Sequence, residues 1–322
     1  MSATRRPARA ARPAGPRPAF RGAPVHVRVP ATSANLGPGF DSFGLALNRY
    51  DDVIARIGED GAQVDVAGEG AGEVPLGEDH LIVQSMRAAF DAMGGQPRGI
   101  ELVCANRIPH GRGLGSSSAA ICAGILLARS LVLGGEDLLP DAALLPLANE
   151  LEGHPDNVAA CLLGGLTIAW TDEGGAASAV RLDAAPQLRV LGFIPAATAS
   201  TKAVRGLLPN QVPYADAVFN TSRAALLIAA MTGRADALLA ATDDRLHQPY
   251  RASAMPESAR LVADLRAEGI AAMISGAGPA VLAVTADPAE AARALAATPP
   301  TWDSEELAVD ALGARVIPAA AA

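Results

Sequence analysis

Ile108-Pro-His-Gly-Arg-Gly-Leu-Gly-Ser-Ser-Ser-Ala-Ala120 is the stretch from which the rest of this chain is read. It follows a strand-like run, Gly99-Ile-Glu-Leu-Val-Cys-Ala-Asn106, and leads into residues 119–133, which have the composition of a helix. Gly111, Gly113 and Gly115 let the backbone approach an anion closely. Ser116, Ser117 and Ser118 then fall at the start of the helix, where amide hydrogens lack intrahelical partners and the macrodipole favours negative charge. A loop of this kind is a phosphate cradle. The plainer alternative is a Gly-rich turn capped by serine. No lysine stands in the loop, so it is not a Walker motif, and the dinucleotide fingerprint is matched only loosely.

Upstream, Val25-His-Val-Arg-Val29 alternates as a strand does and runs into Pro30-Ala-Thr-Ser-Ala-Asn-Leu-Gly-Pro-Gly-Phe-Asp-Ser-Phe-Gly-Leu-Ala-Leu47. A turn at residues 37–39 can bring Asn35 and Asp41 onto one rim, facing a small polar ligand. Alternatively the two side chains satisfy turn amides. Residues 52–57 and 62–67 read as strands joined by a Gly-containing turn, and residues 79–90 as a helix with His80 at its start.

Downstream, Glu152, His154, Asp156 and Asn157 crowd a Gly/Pro-broken turn. A carboxylate there can complete the oxygen shell of Mg²⁺. The alternative is a helix C-terminus at Glu150, Glu152 and Gly153 with a solvated turn, and spacing does not separate Glu150 from Glu152. Strands are expected over 164–170 and 188–195, and helices over 212–231 and 235–242. Arg205 and Arg251 come from separated loops, and two planar guanidiniums suit a carboxylate. Arg223 and Arg245 read as surface charges. Residues 271–284 form a Gly-rich turn between apolar strands, followed by a helix over 288–297 and a strand over 311–317.

Composition narrows the class. Half of the 322 residues are apolar but only 3% are aromatic, so aliphatic side chains fill the core. A net charge of -8 argues against a general nucleic-acid binder, and no apolar run is long enough to span a bilayer. Cys104, Cys122 and Cys161 lie in apolar surroundings without metal-ligand spacing and read as small core residues in a reducing cytoplasm. Residues 1–24, rich in Arg, Pro and Ala and free of acidic residues, read as a disordered tail without a secretory signal.

Pro109–Ala120 resembles the ATP loop of the GHMP small-molecule kinases. Within that family, residues 30–47 resemble the N-terminal motif of the homoserine kinases, and Glu152-Gly-His-Pro-Asp-Asn157 resembles their internal motif. The stretch ending in Arg205-Gly-Leu-Leu-Pro209 and the segment Pro249-Tyr-Arg251 match the same branch. Ser275-Gly-Ala-Gly-Pro-Ala280 resembles the third kinase motif, with Ala277 and Ala280 where the family has Ser and Thr. His80 stands where the family commonly has an Asn near the adenine; an exposed helix-start histidine is the plainer reading. The likeness covers about residues 25–317.

The resemblance implies an α+β GHMP kinase fold of two subdomains. Residues 25–183 would form the ATP-binding part, ribosomal protein S5-like with the loop in a left-handed βαβ unit. Residues 184–322 would form a ferredoxin-like C-terminal part. It implies transfer of the γ-phosphoryl group of ATP to the side-chain hydroxyl of L-homoserine, a step of threonine biosynthesis. Pro109, Gly111, Arg112, Gly113, Leu114, Gly115, Ser116, Ser117 and Ser118 would hold ATP, and Ser117 with Glu152 would hold Mg²⁺. Asn35, Asp41, His154, Asn157, Arg205 and Arg251 would bind the amino acid, Asp41 taking its ammonium. Asn157 and Arg205 would act in catalysis, with Asp156 the fallback base. The implied enzyme is a cytoplasmic homodimer without nucleic-acid or membrane partners. The rivals are a family member for another alcohol and a non-catalytic nucleotide or amino-acid sensor.

Overall fold

Why one end of the first strand becomes a wall of the site follows from a single irregularity. The structure, a computed structural model, describes residues 18–199 and 201–318. Strand β1 (Val25–Ala34) buries Val25, Val27 and Val29 and leaves His26 and Arg28 half-buried on the other face. It runs antiparallel to β2 (Phe43–Gly58), and the register shifts between Pro30 and Ala31, where proline has no amide to donate. Beyond that bulge every residue of β1 is buried. The strand end passes beneath the Gly-rich loop, and the Thr32 amide donates to the Leu114 carbonyl at 3.0 Å.

Strand β3 (Gly61–Gly68) follows β2 after a two-residue turn, yet the two do not pair. Strand β4 (Gly99–Asn106) lies between them, antiparallel to β2 and parallel to β3. A parallel neighbour needs a crossover, which the helix Leu81–Ala92 supplies. The helix Ser116–Leu131 packs against that crossover helix and lies over β1. At Gly124 the two helices touch: a Cβ there would stand 2.6 Å from the Ile82 carbonyl oxygen. Mid-helix glycine costs about 1 kcal/mol relative to alanine, and here it permits the close crossing. Strands β5 (Leu166–Thr171) and β6 (Ala177–Leu182) extend the sheet from β2.

The second sheet contains β7 (Arg189–Pro195), β8 (Ala271–Ile274), β9 (Val281–Thr285) and β10 (Trp302–Leu307), in spatial order β10-β7-β9-β8. All its pairs are antiparallel. The fourth strand lies beside the first and the third between first and second, the expected ferredoxin-like arrangement. The helices Pro256–Ala267 and Pro288–Ala296 pack on it.

Three expectations need correcting. The tail does not reach residue 24. Residues 1–17 lie outside the described residues, but Phe20 bridges to Val132 and stacks edge-on against Phe90 with ring centroids 5.6 Å apart. The division at 183/184 falls in the connection between β6 and β7, but the chain does not stay in the second half. Strand β11 (Arg315–Ile317) returns to pair with β1. The helix Tyr214–Thr232 buries Leu227, Ala230 and Met231 in the same apolar cluster as β1. One continuous core therefore ties the two sheets. The last correction concerns β10, Trp-Asp-Ser-Glu-Glu-Leu, and the helix Pro256–Ala267, which were not anticipated. The charges of β10 suit an edge strand with one face in water.

The three cysteines are buried and unpaired, as expected of core residues. Among the described residues no helix is long and apolar enough to cross a membrane.

Candidate active site

The Gly-rich loop is held from below by backbone contacts. Gly115 takes the left-handed conformation (φ 71°), and a Cβ there would lie 1.9 Å from Thr32 Oγ1, so only glycine fits. The first intrahelical bond runs from the Ala119 amide to the Gly115 carbonyl (2.9 Å). The amides of Ser116, Ser117 and Ser118 therefore precede the helical ladder and lack partners within it. The third-motif loop closes the other side: Ser275 Oγ donates to the Gly113 carbonyl (2.7 Å), and the Ala280 amide donates to the Arg112 carbonyl (3.1 Å). Ala277 and Ala280 cannot contribute hydroxyls, and the clasp is made instead by Ser275, which also shares a 2.8 Å hydrogen bond with Ser33. Of the loop residues expected to hold a nucleotide, Pro109 and Leu114 are buried, so their side chains belong to the core. Arg112 turns outward to Glu69 (3.3 Å) and the Ala196 carbonyl (3.2 Å).

Glu152 ends its helix and sends Oε1 to Ser117 Oγ (2.7 Å) and Ser118 Oγ (3.0 Å). Glu150 is exposed and makes no such contact, so the geometry separates the two carboxylates that spacing left equivalent. Among the described residues no three His, Cys, Asp or Glu side chains cluster around a common point. One carboxylate and one hydroxyl at the mouth of a phosphate loop nevertheless fit Mg²⁺, which draws most of its ligands from phosphate and water.

A cavity of about 80 Å³ opens from this loop. Its wall brings together Gly115, Ser116, Ser117, Glu152, Asn35, His154, Asn157, Arg205 and Arg251 from segments spread over most of the chain. Arg251 is only 1% exposed. Its Nε has no partner, and Nη1 makes one long bond to the Gly276 carbonyl (3.3 Å). Burial and the neighbouring Arg205 push its guanidinium below its ordinary pKa. Arg205, on the short helix Thr201–Arg205, forms a two-pronged ion pair with Asp41. Burial opposes the Arg205 charge, but that pair outweighs it and raises the pKa.

Asp41 does not itself line the cavity; Arg205 stands between. Asn35 Oδ1 accepts from the Asp41 amide (2.8 Å), so the turn-satisfying alternative holds for Asn35 even as it lines the cavity.

The turn bearing Asp41 is fixed by residues the sequence did not single out. Phe40 stacks on His247 (centroids 5.0 Å) and lies under the guanidiniums of Arg251 (4.9 Å) and Arg205 (5.3 Å). His247 Nε2 donates to the Gly37 carbonyl (2.6 Å). Asp244 accepts from the amides of Leu246, His247 and Gln248 and from Asn220 Nδ2, and so sets the turn that carries Arg251. Arg223 and Arg245 flank Phe219 away from this cavity; Arg245 is the exposed charge expected, while Arg223 is half-buried with its Nε unpartnered.

Gly153 ends one helix and Pro155 begins the next, placing Asp156 and Asn157 in a first helical turn. Asp156 is 0% exposed and does not line the cavity. Its Oδ1 accepts from the Asn157 amide (2.8 Å) and lies 3.0 Å from His154 Nδ1, while Oδ2 has no partner. The geometry thus removes Asp156 from direct contact with a substrate and makes it the support of His154. The hydrogen bond to Asp156 raises the His154 pKa against the opposing effect of burial.

A second cavity, about 280 Å³, lies on the other side of Ser116 and Ser117. Val53, Val74, Pro75 and Ile82 give it apolar walls, and Asp79, His80, Asn106 and His110 give it polar ones. His80 caps the helix Leu81–Ala92, its Nδ1 accepting from the Ile82 amide (3.2 Å). The helix-start position agrees with the sequence; the expected exposure does not, because His80 is buried in this wall. Two cavities thus share the loop.

The GHMP kinases N-terminal domain matches residues 80–165, and the GHMP kinases C-terminal domain matches residues 224–300. The chain is 59% identical to homoserine kinase from Streptomyces coelicolor over 306 residues, covering 95% of this chain and 98% of the relative. Homoserine kinase from Streptomyces avermitilis is also 59% identical, over 94% of this chain and 99% of that one. Among solved structures, homoserine kinase from Cytophaga hutchinsonii superposes with a TM-score of 0.78 at 26% identity, covering 91% of this chain and 97% of that chain. The fold alone is shared with mevalonate diphosphate decarboxylase from Staphylococcus aureus, TM-score 0.68 at 14% identity, covering 92% of this chain and 98% of that chain.

Proposed function

This chain belongs to the GHMP kinase family, and from that premise we propose that it transfers the γ-phosphoryl group of ATP to the side-chain hydroxyl of L-homoserine. The observation that carries the reading is a pair of opposed charge sites on one small cavity. A helix mouth of free amides faces one way, and a buried, under-bonded Arg251 beside the Arg205–Asp41 pair faces the other.

An unpaired buried cation is costly unless an anion arrives, and a substrate carboxylate supplies one to Arg251. The Arg205–Asp41 pair is itself the complement of a zwitterion. Homoserine exchanges that single pair for two, its carboxylate going to the arginines and its ammonium to Asp41. Asn35 and His154 complete the rim, and the side chain of the substrate is left pointing at the loop. The purine is assigned to the cavity behind Ser116, and the triphosphate to the amides of Gly113 to Ser118.

Phosphoryl transfer depends mainly on alignment and on neutralising spread charge. Ser117 and Glu152 would hold Mg²⁺, which would supply neutralisation of phosphate charge. The alcohol oxygen, held near Asn157, forms the new bond to the γ-phosphorus as the bond to the ADP oxygen breaks. With Asp156 enclosed behind His154, the hydroxyl proton is assigned to a phosphate oxygen. Cytoplasmic location and a homodimer belong to the same reading.

An ADP-release assay over a panel of alcohols with ATP and Mg²⁺ tests the assignment. Turnover of L-homoserine well above mevalonate and other alcohols is expected. Binding of ATP and homoserine by calorimetry without ADP release would identify a sensor instead.

A further inference from the structure

We propose that Thr32 is a positioning residue for phosphoryl transfer: its hydroxyl locks the Asn157 amide so that Nδ2–H, not Oδ1, faces the alcohol oxygen. The proposal rests on the reading above that this oxygen lies against Asn157.

Thr32 belongs to the part of β1 beyond the bulge and is 0% exposed. Its hydroxyl proton therefore has no water to go to and must find a protein acceptor. It is directed at Asn157 Oδ1, 2.8 Å away, across 125 residues of sequence. The threonine cannot drift, because its amide is bonded to the Leu114 carbonyl (3.0 Å) and its Oγ1 fills the space beside Gly115. Thr32 thus touches the phosphate loop with its backbone and the substrate side with its hydroxyl.

An Asn side chain has one accepting oxygen and one donating nitrogen, and the surrounding bonds decide which way it lies. With Oδ1 engaged by Thr32, the Nδ2 group is left for the cavity that Asn157 lines. An alcohol oxygen accepting from Nδ2 keeps its own O–H free to point at the γ-phosphoryl oxygens. As the oxygen–phosphorus bond forms and the bond to ADP breaks, the proton passes to phosphate and both electron counts close. The reversed amide would hold the alcohol proton on Oδ1, away from the γ-phosphoryl oxygens that must receive it. The hydroxyl of Thr32, which packing alone does not require, is what excludes that orientation.

Thr32→Val keeps the shape and removes the hydroxyl; Thr32→Ser keeps the hydroxyl. Misplacing the attacking oxygen by loss of the contact that aims it corresponds to about 10²-fold in kcat. Thr32→Val is expected to show that loss with both KM values within about three-fold, and Thr32→Ser to recover most of the rate. The ratio is measured on whichever alcohol the panel turns over, so a wrong substrate assignment does not touch it. In the protein without substrate, ¹⁵N-labelled asparagine reports the amide directly: the Asn157 Nδ2 hydrogens should exchange with water, and slow on adding homoserine. A Thr32→Val enzyme with normal kcat, a Ser variant no better than Val, or Nδ2 hydrogens already protected without substrate would each overturn the proposal.

Discussion

The two ends of the small cavity are built on different principles. The phosphate end is made of consecutive backbone: Gly113, Gly115 and the amides of Ser116 to Ser118, all within six residues. The zwitterion end is made of side chains from Asn35, Asp41, His154, Arg205 and Arg251, which meet only when both sheets are in place. Backbone donors need a local conformation and little else, so one stretch can carry them. Charged side chains need partners, desolvation and orientation from remote segments, as the Phe40–His247 stack and the Asp244 bonds show. The difference teaches that the first end should fail by local distortion and the second by loss of a charge partner.

Gly115→Ala should have the largest effect. A left-handed conformation costs an L-residue about 1–2 kcal/mol, and the new Cβ would lie 1.9 Å from Thr32 Oγ1. Turnover is expected to fall by more than about 10³-fold, with ATP binding by calorimetry lost alongside it. Wild-type ATP affinity in this variant would remove the backbone end from the comparison.

Arg251→Met comes next and separates binding from folding. Hydrogen bonds to a charged group are worth about 1.5–3 kcal/mol, so KM for homoserine should rise by about 10- to 100-fold with ATP affinity kept. Because the free protein buries this cation with one long bond, its denaturant midpoint should stay level or rise, as when buried charge is replaced by apolar side chains. A marked fall in stability would mean that Arg251 is structural.

Glu152→Gln should raise the Mg²⁺ concentration for half-maximal rate by about 10-fold, and Glu150→Gln should leave it unchanged. Equal effects from both would undo the geometric choice between them.

The smallest expected effect lies outside both ends and serves as the reference. Asp52 is partly buried, which alone would raise its pKa, but Arg28, Arg107 and His26 hold it well below the usual carboxylate range. Its contribution is therefore present above the unfolded carboxylate pKa of about 4 and is lost as pH falls through the depressed folded value. Asp52→Asn should narrow the stability gap to wild type below about pH 4 in acid denaturation, with kcat and KM at neutral pH unchanged.

How far this molecule is legible varies with the kind of contact. Helix starts, the buried alternation of Val25, Val27 and Val29 and the bend at Gly153 follow from short-range chemistry and are readable. The pairing of β3 with β4 instead of β2 is not, because a two-residue turn carries no signal that another strand will insert. The edge strand β10 hides behind its charges. Asp156, readable as a candidate base, proves to be enclosed, since burial depends on what packs above it. Asp244 and His247 carry no motif signal beyond lying near a matched segment, and Phe40, though inside one, is not a residue type that points to a polar ligand.

The chain alone pointed to residues 111–118 as an anion-binding loop, because orphan amides at a helix start exist wherever that helix forms. It also determined the residue types able to meet a zwitterion. Only the tertiary structure decided that Glu152 and not Glu150 meets the serines, that Asp41 is reached through Arg205, and that Thr32 orients Asn157. Each of those turns on distances between residues far apart in sequence, and such distances are set by the packing of the two sheets and their helices, not by any local propensity.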